Sequence, residues 1–361
     1  VKIALFNWRD LHHPKAGGAE VATHRLASGL AARGHDVTWI TSAYPGARSG
    51  EPRDGYHVVR AGSEVTCRFH GLKWLFDRRN EIDVVIDEVN TLPFLSRLVC
   101  PRRVVVWMHQ LAREVWRAEA PGIVGAIGYA LEPALMAIYA RTPIVTISQS
   151  SAASFREFGL HGPIHVAEIS LEPPSSVAGA PQAGLVGYVG RLAPSKRVDH
   201  IIRALAVVRR DLPFAELAIV GSGSDRETAR LTALARDLEV ETAVRFYGRV
   251  SSEKRDQITR TFDVVAMASL REGWGLVVSE AARYGVPGVV YPVPGLIDAV
   301  ADGKTGIIAD AQTPQALAEG LLRIIKDRTF RDALGAQAMQ YLLQFDDERF
   351  VGRFEKILRD R

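Results

Sequence analysis

The chain has only two cysteines, Cys67 and Cys100, in 361 residues. One pair cannot build a disulfide framework or supply zinc-binding spacing, so a reducing, cytoplasmic setting is expected. Charge of one sign is also scarce in excess: 45 Lys and Arg against 41 Asp and Glu give a net +4, with an isoelectric point of about 9.1. That balance suits an anionic ligand or an anionic membrane surface. It is too mild for nucleic acid, and no aromatic-plus-basic repeat of an RNA-binding sheet is present. The first six residues, Val1-Lys2-Ile3-Ala4-Leu5-Phe6, are too short for a signal-peptide core and read as a buried strand. The one long apolar stretch, 122–140, is interrupted by Glu132-Pro133. It predicts a buried helix pair or a helical hairpin over a cleft rather than a membrane span.

With 47% hydrophobic and 24% charged residues, the composition is that of a globular protein, and the length suits two domains. Short β-rich runs alternate with helical patterns in both halves. Strands are predicted at 2–6, 36–41, 56–60, 83–87, 103–107 and 144–148, then at 185–189, 216–220, 244–247, 264–268 and 288–291. Helices are predicted at 19–33, 224–238, 252–262, 275–284 and 313–328, and Val198, Ile201, Ile202, Leu205 and Val208 mark one face of another. This alternation implies parallel sheets covered on both faces. The Pro- and Ala-rich run Glu172-Pro173-Pro174-Ser175-Ser176-Val177-Ala178-Gly179-Ala180-Pro181 reads as a linker. The expected fold class is therefore α/β: two Rossmann-like, doubly wound domains facing a central cleft, with ligands at the carboxyl ends of the strands. The domains are 1–172 and 183–345, and 346–361 is expected as a C-terminal helix returning to the first.

Six motifs carry chemistry. Ala16-Gly17-Gly18-Ala19-Glu20 follows the first strand and opens a helix, so backbone can approach a phosphate there. It lacks the third glycine of a dinucleotide fingerprint and the Gly-Lys-Ser/Thr ending of a P-loop, and a plain tight turn explains it equally well. Gly187-Tyr188-Val189-Gly190-Arg191-Leu192-Ala193-Pro194-Ser195-Lys196 ends a strand in glycine and brings two cations to one loop, a clamp for a diphosphate or a solvated basic turn. Val220-Gly221-Ser222-Gly223-Ser224 is a glycine-rich capped turn without a nicotinamide fingerprint. Phe246-Tyr247-Gly248-Arg249-Val250-Ser251-Ser252-Glu253 has main-chain groups for a base edge, or is an ordinary helix start.

The most informative motif is Arg271-Glu272-Gly273-Trp274-Gly275-Leu276-Val277-Val278-Ser279-Glu280. It sets one carboxylate before a helix N-terminus and another within the helix. The N-terminus suits an anion, and the carboxylates suit hydroxyls on either side of it. Glu280 lies about 9 Å along the axis from Trp274, the reach from a diphosphate to a ribose. Finally, His109 ends the apolar strand Val104-Val105-Val106-Trp107-Met108. A lone histidine is more often structural, but one at a strand's carboxyl end can face a ligand.

Together, and in this order, these residues resemble the retaining glycosyltransferases of family 4, which have the GT-B fold. The resemblance runs nearly the whole length and is strongest over 187–310, where Gly303-Lys304-Thr305-Gly306 also matches. It implies a nucleoside diphosphate sugar as co-substrate, with no cofactor and no metal. Gly17 and Gly18 would approach the diphosphate, Arg191 and Lys196 would neutralise it beside Gly190, and Glu272 would contact the donor sugar. Gly273, Trp274, Gly275 and Leu276 would offer main-chain N–H groups, Glu280 would bind the ribose, Arg249 and Val250 would lie by the base, and His109 would stand near the sugar. Uridine is the expected base by family frequency, and retention is expected by a front-face route. No Asp-x-Asp motif is present. Many relatives have an asparagine-glycine turn near Ala167-Glu168-Ile169-Ser170-Leu171-Glu172-Pro173, where this chain has none.

Other classes remain open at this point: a sugar-nucleotide epimerase, or a non-catalytic nucleotide-sugar-binding subunit. The acceptor is expected to be a glycan, a lipid-linked glycan or a small polyol, beside the loop Asn7-Trp8-Arg9-Asp10-Leu11-His12-His13-Pro14-Lys15. The basic, aromatic segment 68–79 is either a peripheral membrane contact or an ordinary packed helix.

Overall fold

A computed structural model describes residues 1–120 and 122–360. The strands are β1 (Lys2–Phe6), β2 (Asp36–Thr41), β3 (Gly50–Arg53), β4 (Tyr56–Arg60), β5 (Val84–Val89), β6 (Val104–Met108), β7 (Ile144–Thr146), β8 (Ile164–Val166), β9 (Leu185–Val189), β10 (Glu216–Val220), β11 (Val244–Gly248), β12 (Val264–Met267), β13 (Gly288–Val290) and β14 (Gly306–Ile308). The helices are α1 (Gly18–Ala32), α2 (Cys67–Arg78), α3 (Glu114–Glu119), α4 (Gly122–Ala137), α5 (Gln149–Glu157), α6 (Val198–Asp211), α7 (Asp225–Asp237), α8 (Ser252–Thr259), α9 (Leu276–Ala282), α10 (Leu296–Ala299), α11 (Pro314–Lys326), α12 (Arg328–Leu342) and α13 (Asp347–Asp360).

These elements form two compact units. The first is Val1–Arg113, Ala126–Ser170 and Phe345–Arg361; the second is Glu114–Gly125 and Leu171–Gln344. The first unit is thus not the uninterrupted stretch 1–172, because α3 packs with the turn Pro194–Lys196 of the second. The proline-rich segment after Leu171 is fastened to the second unit: Ser175 N–H donates to Arg283 C=O at 2.9 Å, and Ala180 N–H to Arg260 C=O at 2.8 Å.

In the first unit the sheet order is β3-β4-β2-β1-β5-β6-β7-β8, parallel except for β3 against β4. The chain winds outward from β1 through β2, then returns by α2 to place β5 on the other side of β1. That reversal opens a crevice at the carboxyl ends of β1 and β5. The second unit repeats the design with six parallel strands, β11-β10-β9-β12-β13-β14, and its reversal lies between β9 and β12. Its core includes the apolar face of α6, where Val198, Ile201, Ile202, Leu205 and Val208 are all buried.

The stretch 122–140 corrects its reading. It is neither a buried pair nor a hairpin but the single helix α4, with Ile123, Val124, Ile127 and Leu131 exposed. The proline does not break it, because nearby groups meet the demands of the turn. Buried Glu132 accepts the N–H groups of Ala112 and Arg113 at 2.7 Å each. The C=O of Tyr129, which Pro133 leaves without its helical donor, receives Arg113 Nη1 at 3.5 Å. Among the described residues no helix is long and apolar enough to cross a membrane.

The C-terminal helix α13 belongs to the first unit. It buries Phe350, Val351, Phe354 and Leu358, and Phe354 meets Trp107 edge-on at 5.2 Å. Gly29 of α1 admits it, since a Cβ there would stand 2.5 Å from Val351. Glu355 then pins it: Arg33 donates at 2.9 Å, and His35 Nε2 lies 3.0 Å away. These hydrogen bonds hold the Glu355 carboxyl at about 2. A depressed carboxylate stabilises the fold above its unfolded value, and that contribution is lost as pH falls toward 2. Glu355→Gln is therefore expected to lower stability at neutral pH by about 1–3 kcal/mol. In urea titrations the gap from the wild type should close between about pH 4.5 and pH 2.

Candidate functional site

The second unit gathers most of the residues singled out by sequence. β9 is followed by Gly190, whose φ of 150° lies in a region that favours glycine, and a Cβ at Gly221 would stand 1.8 Å from Gly190 O. The ends of the neighbouring strands β9 and β10 approach closely there because Gly221 carries no side chain. The loop after Gly190 is held by Tyr188, whose phenol donates to Arg191 C=O at 2.7 Å. Burial pushes that phenol's pKa up, helped by the negative charges of Glu272 and Glu119. Leu270 N–H donates to Ser195 C=O at 2.8 Å, tying the β12 loop to the β9 loop. Lys196 and Glu272 meet across this tie, Nζ to Oε1 at 2.5 Å, and Ser269 Oγ donates to the same oxygen at 2.7 Å. Their side chains are only 21% and 14% exposed, so the pair is not a solvated surface bridge.

Arg191 has a partner that the sequence did not disclose. Glu119 on α3 takes its guanidinium at 3.1 and 3.3 Å and also receives Ser195 Oγ. Burial acts to raise the Glu119 carboxyl, but Ser195, Arg191 and Lys196 outweigh it and hold it low. Glu114 pairs with Arg271 at 3.4 Å in the same manner. No local pattern announces these pairs, which span 72 and 157 residues.

Gly273-Trp274-Gly275-Leu276 turns into α9, a helix shorter than the predicted 275–284. Trp274 is buried and its indole donates to Ser279 Oγ at 3.0 Å, which leaves the motif's main chain, not the ring, for any ligand. Gly275 caps the helix at φ 93°, and a Cβ there would meet Leu296 at 2.8 Å. Glu280 lies on α9, 39% exposed and 4.0 Å from Arg255. Desolvation raises its carboxyl, Arg255 opposes this, and Asp256 adds to it. Arg249 and Val250 follow β11, two strands from β9, and make no hydrogen bond to the Lys196–Glu272 pair.

Gly17, Gly18 and His109 belong to the first unit. Gly17 precedes α1, and its N–H donates at 2.7 Å to Glu20, which reaches back from the first turn. Burial raises the Glu20 carboxyl, and Glu88 adds to that. A Cβ at Gly17 would meet only the Glu20 carboxylate, at 3.7 Å, so the turn leaves space beside it. His109 follows β6, half-buried, with its ring 5.0 Å from that of Trp107. Its Nε2 stands 3.3 Å from Glu88, a wholly buried carboxylate inside β5 that lies just past the strand read at 83–87 and was not singled out by sequence.

The sequence model of the glycosyl transferases group 1 matches residues 178–341, and that of glycosyltransferase family 4 matches 16–168. A D-inositol 3-phosphate glycosyltransferase of Salinispora arenicola is 37% identical over 182 residues, covering 48% of this chain and 40% of that protein. The matched part thus spans about two-fifths of that relative's length. Among solved structures, sucrose-phosphate synthase of Thermosynechococcus elongatus aligns over 99% of this chain and 98% of its own, with TM-score 0.79 and 20% identity. HepE of Anabaena, solved with UDP and glucose, aligns over 100% of both chains, with TM-score 0.74 and 19% identity. All strands of the second sheet lie within 178–341 and all strands of the first except β1 lie within 16–168, and on that agreement of sequence and architecture the chain belongs to glycosyltransferase family 4 and has the GT-B fold.

Proposed function

We propose that this chain transfers a sugar from a nucleoside diphosphate sugar, with uridine as the base, to an acceptor hydroxyl, retaining the anomeric configuration and using no metal. The observation that carries this reading is the Lys196–Glu272 pair at the point where the strand order of the second sheet reverses, with Arg191 on the same loop. Loss of the diphosphate develops negative charge on its leaving oxygen. Lys196 and Arg191 neutralise that charge in the role a metal has elsewhere, and N–H groups of Gly273–Leu276 assist. Glu272 meets the donor sugar, Glu280 the ribose, and Arg249 and Val250 the base. Gly17, Gly18 and His109 serve the same donor from the first unit.

Glu272 is not the nucleophile in this account. The hydrogen bonds that its carboxylate accepts from Lys196 and Ser269 both fall on Oε1, which suits an orienting carboxylate. Retention follows from a front-face route in which the leaving phosphate takes the acceptor proton. A small polyol as acceptor gains support from the curated relatives' name, and a glycan or lipid-linked glycan is the other class. The buried thiols of Cys67 and Cys100 keep the cytoplasmic reading. On α2, Phe69, Lys73 and Phe76 stand exposed on one face, with Arg78 and Arg79 at its end. That face supports peripheral contact with an anionic bilayer.

Calorimetric titration with UDP and GDP tests the donor site. UDP is expected to bind in EDTA as well as in magnesium, and Lys196→Ala and Glu280→Ala should each weaken it at least about tenfold. Unaltered binding in both variants would remove the assignment. Because the ionised Glu280 accepts ribose hydroxyls and its pKa is raised, affinity should start to fall above the usual carboxylate range as pH is lowered. Glu119→Gln frees Arg191 from a competing carboxylate, so UDP should bind several-fold tighter; weaker binding would contradict the competition. NMR of the product's anomeric centre decides retention. Sedimentation with phosphatidylglycerol vesicles, against neutral ones, should lose its signal in the Phe69→Ser, Phe76→Ser double variant; binding by that variant would exclude α2.

A further inference from the structure

We infer that Glu88 is a positioning residue that fixes the tautomer and orientation of His109. The inference rests on the reading of His109 as a donor-facing residue. Glu88 lies within β5, its side chain fully buried, where a carboxylate is costly unless every lone pair is met. The partners are divided between its two oxygens. Oε2 accepts Thr23 Oγ1 at 2.6 Å and Asn7 Nδ2 at 3.0 Å. Oε1 accepts Asn90 Nδ2 at 3.2 Å and faces His109 Nε2 at 3.3 Å. Asn90 also donates to Asn7 Oδ1 at 3.0 Å, closing the network. Four elements contribute: the ends of β1, β5 and β6, and α1. They meet at the carboxyl edge of the sheet, around the reversal between β1 and β5.

The imidazole is held on other sides as well. Its ring lies near that of Trp107, tilted by 32°, and its backbone C=O accepts Ser151 Oγ at 2.9 Å. His109 Nε2 is buried and makes no well-aligned hydrogen bond; the acceptor facing it is the Glu88 carboxylate, 3.3 Å away. An acceptor-only group beside that nitrogen assigns it the proton, which leaves Nδ1 as the nitrogen for substrate. A carboxylate that packs only for stability does not need one oxygen turned to an imidazole that is itself only 12% exposed. This one has its other oxygen saturated by two donors and the remaining one shared with the ring.

The substitution Glu88→Gln makes the consequence measurable. With the amide oxygen kept by Thr23 and Asn7, the amide nitrogen turns to His109 and donates where the carboxylate accepted. Ring ¹⁵N shifts of His109, followed up to about pH 8, are expected to report the Nε2–H tautomer in the wild type and Nδ1–H in Glu88→Gln. Turnover should fall at least about tenfold, while donor KM and the UDP dissociation constant stay within about twofold. A wild type in the Nδ1–H form, or a variant that keeps Nε2–H, overturns the inference. The wild-type measurement decides it even if the variant does not fold. Failure of the glycosyltransferase reading is told apart, because it appears as absent UDP binding whatever the tautomer.

Discussion

Two loops leave neighbouring parallel strands, β9 and β12, and are tied together by one main-chain hydrogen bond from Leu270 to Ser195. The Lys196–Glu272 ion pair depends on that tie, and so does the rest of the site. Parallel sheets make such ties possible because every strand ends on the same edge, and a reversal of strand order leaves the loops there without a crossover above them. The glycines serve the same constraint. Gly221 lets the ends of β9 and β10 approach, and a Cβ on Gly295 would stand 2.2 Å from Glu272 C=O, so the turn beneath that residue admits no side chain. The pair is drawn out of solvent, where its charges are worth more to a bound anion than solvated ones would be.

Glu119 and Glu88 extend this logic to the neighbours of the functional groups. Each is a carboxylate whose partner is a residue assigned to the donor, Arg191 in one case and His109 in the other. Their environments differ. The Arg191 side chain is 67% exposed, so its hold on Glu119 is open to exchange for another anion. Glu88 is sealed among Asn7, Thr23 and Asn90, and it faces the imidazole from the protein interior.

Much of the fold could be read in the sequence where apolar runs are long and sharply bounded. Strands 2–6, 36–41, 56–60, 185–189 and 216–220 stand as expected, residue for residue. The strands that were missed lack that signal. β3 is Gly-Glu-Pro-Arg, an edge strand paired antiparallel to β4, and β8 and β14 have three residues each, too few to show a period. Helix α12 follows α11 after a single residue, Asp327, whose side chain accepts Phe330 N–H at 2.9 Å, and the reading, which ended at 328, missed it. Among the residues singled out by sequence, Lys196, Glu272 and Gly275 come together in the second unit because motif and strand end coincide there, and His109 stands just past β6 in the first. Glu119 and Glu88 were not singled out, since their meaning comes from partners brought close only by folding. The exposed face of α4 was misread for a related reason: hydropathy records what a segment contains, not which side it turns to solvent.

A structure of the full chain with UDP bound tests the central claim most directly. The expected result is a diphosphate within hydrogen-bond distance of Lys196 Nζ and the Arg191 guanidinium, with Glu119 released from Arg191 and the ribose hydroxyls on Glu280. A diphosphate held elsewhere, with the Lys196–Glu272 and Arg191–Glu119 pairs both intact, would contradict it.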